Sequence, residues 1–248
     1  MLNEAGVSSF EQDTLRKVTG ETLRPGGFSL TDRAIEMCSL PPNAAFIDLG
    51  CGSGATVQRL TEHYGYRALG IDASELMLLT GKLTRPAAPM LCAFGNRLPF
   101  ASEIFDAAMV ECSISVMADP AAALAELNRV LAADGILILS DVYARNPEGV
   151  GILRGLKTPC YLYKAQTREE IMHALEAHHF SILLWEDHSE TLKVLTAQLI
   201  WSDGLEALYG RPVGKGREVE EGQPNPQQAL ADARLGYFLL VARKNSKS

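Results

Sequence analysis

The residues most able to do chemistry lie in Phe46-Ile47-Asp48-Leu49-Gly50-Cys51-Gly52-Ser53-Gly54, where three glycines alternate with small residues behind an apolar run containing a carboxylate. This pattern predicts a buried strand, a tight turn and a helix opening near Ala55. Glycine permits unusual dihedrals and lets a ligand approach the backbone without meeting a Cβ. Free N–H groups at the new helix's start favour an anionic or polar ligand group. Eighteen residues after Gly54, the apolar stretch Ala68-Leu69-Gly70-Ile71 ends in Asp72. A carboxylate there can accept from both vicinal hydroxyls of a ribose. The combination predicts a nucleoside site.

Two nucleosides satisfy that spacing. Gly50, Gly52 and Ala55 fit the dinucleotide pattern G-x-G-x-x-G/A, which suits NAD. Asp48 argues the other way, because a carboxylate beside a pyrophosphate is repelled while one beside an ammonium or sulfonium is attracted. The pattern resembles the first motif of the class I S-adenosylmethionine (SAM) methyltransferases.

The elements that position this loop follow from periodicity and punctuation. Ser29 is expected to cap a helix running to about Ser39, stopped by Pro41-Pro42. Strands are then expected at 45–49, 67–71, 89–93, 105–111 and 136–140. Helices are expected at 54–64 and 74–82, and from Asp119-Pro120 to Asp134-Gly135. Thr167 to Glu170 reads as a capping box, followed by a helix, a strand at 180–185 and a helix carrying Leu192, Leu195 and Leu199. Leu235 to Ala242 reads as a last strand. Alternation of this kind gives an α/β fold, a three-layer, doubly wound, mostly parallel, Rossmann-like sheet. The chain is read as a single domain, 1–248, with an N-terminal helical extension over 1–43. Residues 210–228, rich in Pro, Gly and charge, read as an exposed loop of disorder-promoting composition.

Composition narrows the partners. A formal net charge of −7 opposes nonspecific attraction to nucleic acid or anionic lipid, which predicts a small-molecule partner, with no nucleic acid and no membrane. The N-terminal residues lack a basic start and apolar core, and no apolar run approaches a membrane span. The five cysteines are odd in number and contain no C-x-x-C pair, which points to reduced thiols and a cytoplasmic location.

Two further segments extend the resemblance. Arg97-Leu98-Pro99-Phe100-Ala101-Ser102-Glu103-Ile104-Phe105-Asp106 is similar to the R-L-P-F-x-x-x-x-F-D segment of the type 11 methyltransferases, and Leu124 to Asp141, with its N-R-V-L-x-x-x-G core, resembles their helix and fifth strand. The resemblance covers roughly 44–144. It implies seven strands with an antiparallel last strand, SAM as cofactor, and methyl transfer to a small-molecule acceptor. Carried over residue by residue, it places Asp48, Gly50, Cys51, Gly52, Gly54, Asp72, Ala73, Phe94, Gly95, Asn96 and Glu111 at the cofactor. The family's usual acid after the third strand is missing, since Phe94 stands there. Asn96 or a backbone carbonyl then has to accept from adenine, and Phe94 is open to a stacking role or a core role.

No general base stands out. Glu111, Cys112, Asp141 and Cys160 are the candidates, with Glu111 to Ile114 and Asp141 to Tyr143 expected just past the carboxyl ends of strands four and five. Cys112-Ser113-Ile114-Ser115-Val116 and Ser140-Asp141-Val142-Tyr143-Ala144 resemble arsenite methyltransferase segments, so Cys112 and Cys160 form an alternative metalloid site. Cys38 is a candidate third thiol, and Cys51 and Cys92 are assigned to packing. No resident metal site is expected from the histidines. His173, His178 and His179 are expected on or after a helix facing solvent, and His188 at a helix start. A non-catalytic SAM-fold binding protein is the other alternative.

Overall fold

Five consecutive buried residues, Ala45–Leu49, form β1, and so complete a burial requires neighbours on both edges and cover on both faces. In the computed structural model, which describes residues 16–155, 164–203 and 226–246, β1 pairs in parallel with β2 (Arg67–Asp72) and β4 (Phe105–Glu111). The edge strand β3 (Met90–Cys92) follows β2. On the other side β4 pairs with β5 (Leu131–Ala144). The strand β8 (Leu235–Lys244) then inserts antiparallel between β5 and β7 (Phe180–Asp187). The sheet order is β3-β2-β1-β4-β5-β8-β7, with the two-residue β6 (Gln166–Thr167) on the far end of β5. The mostly parallel sheet with an antiparallel last strand is therefore as expected, with eight strands rather than seven.

Between the strands run α1 (Gly27–Glu36), α2 (Ala55–Glu62), α3 (Glu75–Thr84) and α4 (Pro120–Val130). Later in the chain come α5 (Pro147–Gly155), α6 (Arg168–Ala177), α7 (Ser189–Asp203) and α8 (Pro226–Ala233). Asp119 caps α4 by accepting from the Ala122 N–H, with Pro120 at the first helical position. Thr167 and Glu170 form both halves of the capping box on α6.

Three boundaries differ from expectation. Gly26, with φ 73°, precedes α1, and Ser29 lies inside the first turn, its hydroxyl donating to the Gly26 carbonyl. Helix α4 stops at Val130 rather than at Asp134-Gly135. The Glu103 and Ile104 N–H groups take the carbonyls of Arg129 and Val130, and buried Leu131 pairs with Phe105. Strand β5 runs on through Ala144 because β8 pairs along it to Ala144↔Leu235, so Asp141, Val142 and Tyr143 lie within the strand. The loop expected over 210–228 falls outside the described residues up to 225, and its last three residues begin α8.

The R-L-P-F and N-R-V-L segments are one contact. Arg129 donates to the carbonyls of Phe100 (2.7 Å) and Leu98 (3.0 Å), Glu126 accepts from the Leu98 N–H, and Asp106 accepts from the Ala45 N–H at 2.8 Å. The Asp106–Ala45 bond ties the amino ends of β4 and β1 together.

Candidate functional site

The glycine loop leaves β1 at Gly50 with φ 82°. The Gly50 and Cys51 N–H groups both donate to the Ile71 carbonyl, at 2.7 and 3.0 Å, which ties the loop to β2. A Cβ on Gly50 would collide with the Ser113 side chain, whose hydroxyl donates to the Leu49 carbonyl at 2.8 Å. Gly54, with φ 80°, then opens α2. Both positions therefore require glycine for conformation and for space.

Asp72 ends β2 half-buried. Its Oδ2 accepts from the Gly52 N–H and its Oδ1 from the Ser74 N–H, each at 2.8 Å. Burial pushes its pKa up, and the N–H groups of Ser74, Gly52 and Ala73 pull it back. An ionised carboxylate has about four acceptor sites, so capacity remains for ribose hydroxyls. Asp48 is 3% exposed, and its Oδ2 has no hydrogen-bond partner among the described residues. Burial pushes Asp48 up to about 8, with Glu111 and Asp72 adding repulsion and Arg24 opposing. A buried acceptor of this kind lacks the compensation that buried polar groups normally have, and a cationic group in the adjacent space would supply it.

That space is a cavity of about 520 Å³ at the carboxyl ends of the parallel strands. Asp48, Gly50, Cys51, Gly52, Asp72, Ala73, Phe94, Gly95, Asn96, Glu111 and Cys112 all line it. Among the expected cofactor residues, Gly54 is the one off that wall. Phe94 is 55% exposed, which removes the core reading and leaves the ring open to a ligand.

The largest surprise is the segment 21–25, which also lines the cavity. Arg24 is buried and pairs with Glu111 at 2.8 Å. Its Nη2 also donates to Thr31 (2.6 Å) and Thr56 (3.1 Å), and both threonines donate to the Glu111 carboxylate. Nearby, Arg85 pairs with Glu21 at 2.7 Å. Leu23 bridges the two contacts at φ 52°, a strained conformation for a bulky residue. Arg24-Pro25-Gly26-Gly27 has the composition of a turn. An arginine next to Pro-Gly-Gly was the available signal, but its partners lie 7 to 87 positions away, at Thr31, Thr56 and Glu111.

The candidate bases fare differently from one another. Glu111 is committed to Arg24 and the two threonines, which makes it an anchor for the segment. Asp141 is 2% exposed and does not line the main cavity. It accepts from the Ser115 N–H and hydroxyl and the Val142 N–H, which hold the turn after β4, and burial pushes it up to about 6. Cys112, at φ 49°, reaches the cavity wall with its sulfur 3.1 Å from the Tyr237 hydroxyl, which in turn donates to Ser140. Burial pushes the Cys112 thiol far up, so it is a neutral thiol at ordinary pH.

Cys160 lies outside the described residues, and with it the geometry of the Cys112–Cys160 pair. Cys38 is buried against α1 and donates to the Ala34 carbonyl. Cys51 is buried, whereas Cys92 is exposed on the edge strand, contrary to its assignment to packing. His173 and His179 are exposed, and His178 follows α6 with its Nδ1 2.7 Å from the Ala174 carbonyl. His188 sits 2.8 Å from Glu186 just before α7. No cluster of three metal-ligating side chains occurs among the described residues.

Comparison with known proteins agrees with this geometry. Residues 47–139, from the middle of β1 into β5, match the methyltransferase domain family. Over about 40% of its length the chain is 35% identical to the 18S rRNA (guanine(1575)-N(7))-methyltransferase of Saccharomyces cerevisiae, covering 37% of that protein. It is 33% identical to a demethylmenaquinone methyltransferase of Corynebacterium urealyticum over 41% of the chain and 43% of the relative. The chain thus spans less than half the length of these relatives. The cyclase SpnF shares the fold across 95% of the chain and 93% of its own, with a TM-score of 0.70 at 23% identity. No helix among the described residues is long and apolar enough to cross a membrane.

Proposed function

We propose that the whole chain, taken as one domain, is a SAM-dependent methyltransferase acting on a small molecule. The observation that carries this reading is the unpartnered, buried Asp48 oxygen on the wall that also holds Asp72 and the glycine loop. A ribose fits Asp72. An ammonium fits Asp48. The Arg24 Nε, also buried and without a partner among the described residues, suits the carboxylate of an amino-acid tail. SAM supplies a methyl group activated on sulfonium. The protein's part is to orient, to exclude water and to set the acceptor in line. Phe94 and Gly95 flank the expected purine position, and Asn96 provides an acceptor for its amino group.

A small-molecule acceptor is favoured by the net charge of −7, and a cytoplasmic location by the odd number of cysteines without a C-x-x-C pair. An RNA acceptor is the outcome that the yeast relative makes worth measuring. A non-catalytic binding protein is the second reading, favoured by Phe94 in place of the usual acid and by the lack of an obvious base. Calorimetry with SAM, S-adenosylhomocysteine and NAD tests the cofactor, and NAD binding alone would sink the proposal. Transfer of labelled methyl to arsenite, thiols, quinols, small carboxylates or RNA then separates the readings. Transfer to none, with SAM bound, would leave the binding protein.

A further inference from the structure

The main cavity changes character along the sheet. On the β1 and β2 side it is lined by the glycine loop, Asp48 and Asp72. Over β4 and β5, and from α7, its wall is Val116, Met117, Val142, Leu192 and Leu195, joined by Leu23 of the segment above. The polar side chains at the end of β4 are already engaged, Glu111 by Arg24 and the two threonines, Ser113 by the Leu49 carbonyl, and the neutral Cys112 thiol by Tyr237. A charged head placed there would lose its hydration without gaining a counter-charge from these residues.

A second cavity of about 260 Å³ adjoins this apolar half. Its walls include Ile114, Leu124, Leu139, Ile171, Leu175 and Phe238, between α4, α6 and the sheet, with the exposed Lys164 and Gln166 beside them. The two cavities share Ala118, Asp119 and Val142. Ala118 and Asp119 are exposed, so the Ala118 methyl lies on the boundary between the chambers beside the Asp119 carboxylate, which accepts from the Ala122 N–H. Asp141 borders the second chamber, but its carboxylate is turned to Ser115 and Val142.

We propose that the acceptor is an uncharged, elongated apolar molecule of isoprenoid-like shape. Its reacting end lies against Leu192 and Leu195, and its tail crosses Ala118 into the second chamber. This inference rests on the methyltransferase reading for which end reacts, but the two-chamber groove is a property of the chain itself. Burial of apolar length, rather than a charged contact, supplies the affinity.

The test titrates geraniol, farnesol and geranylgeraniol into protein saturated with S-adenosylhomocysteine, with phosphoethanolamine as a charged comparison. Affinity is expected to rise roughly tenfold or more across the series, because added chain is buried in the second chamber. Ala118→Trp, which adds bulk at that boundary, and Ala174→Phe, which narrows the second chamber from α6, should each flatten that dependence. Binding of geraniol should persist in the Ala174→Phe protein, and unaltered thermal unfolding reports that both variants fold. Equal affinity along the series, preference for phosphoethanolamine, or an unchanged length dependence in both variants would overturn the proposal. Length dependence without S-adenosylhomocysteine binding would instead overturn the cofactor reading and leave the groove standing.

Discussion

Arg24, in the segment before α1, and Glu111, at the end of β4, form an ion pair at 2.8 Å with side chains only 6% and 4% exposed. Two threonines complete the arrangement, so the charges are compensated as well as paired. Removing one partner strands the other in a low-dielectric site.

Arg24→Met or Glu111→Gln alone should therefore cost about 3–5 kcal/mol of stability. The double variant Arg24→Met/Glu111→Leu should recover much of that loss, since no buried charge is left behind. Denaturant midpoints measure both, and single variants within 1 kcal/mol of the parent would refute the burial argument.

Asp72→Ala should weaken SAM binding through the lost ribose contacts, each worth about 1.5–3 kcal/mol to a charged acceptor. That corresponds to roughly tenfold or more in Kd. Calorimetry on folded protein checks it, and unchanged affinity would remove Asp72 from the site.

The pH dependence follows from Asp48. Its folded pKa, about 8, lies above the usual carboxylate value, so the folded state binds more protons than the unfolded state between about 4 and about 8. Stability of the ligand-free protein should fall as pH rises through that window, by up to about 1.4 kcal/mol per pH unit from this group. Asp48→Asn should remove this share of the slope. SAM affinity should rise with pH as Asp48 ionises to meet the ammonium, and that rise should vanish in Asp48→Asn. A slope identical in the two proteins would show that Asp48 does not titrate as stated.

Gly50→Ala should destabilise the fold by about 1–3 kcal/mol from its left-handed backbone alone, and more from the collision with Ser113. Thr167→Ala, which removes the capping box on α6, should cost about 1 kcal/mol and leave SAM affinity unchanged. Thermal unfolding with parallel calorimetry distinguishes a loop essential to the site from a cap remote from it.

The glycine loop and Asp72 were legible in sequence because backbone conformation and strand spacing are local properties. The end of α4 was not. Asp134-Gly135 has the chemistry of a helix stop, but Glu103 and Ile104 captured the helix's last carbonyls four residues earlier, which is a tertiary event. Asp141 and Glu111 looked alike as acids near strand ends. Ser115 occupies one and Arg24 the other, and neither partner is fixed by spacing. Phe94 was ambiguous for the same reason, because an aromatic side chain's exposure is decided by what lies over it.

The last strand among the described residues does not sit at the edge of the sheet. β8 fills the slot between β5 and β7, and Tyr237 within it meets Cys112 at the cavity. As the chain leaves the ribosome, residues up to Ala144 can assemble the glycine loop and its parallel neighbours, since domains form from the N-terminal side. Strand β7 emerges next, with its partner still to be synthesised. The open flank of β5 waits until residues 235–244 arrive. Shaving a few residues from the end of β8 would thus open a seam through the middle of the sheet, where trimming an ordinary terminal strand would only narrow it.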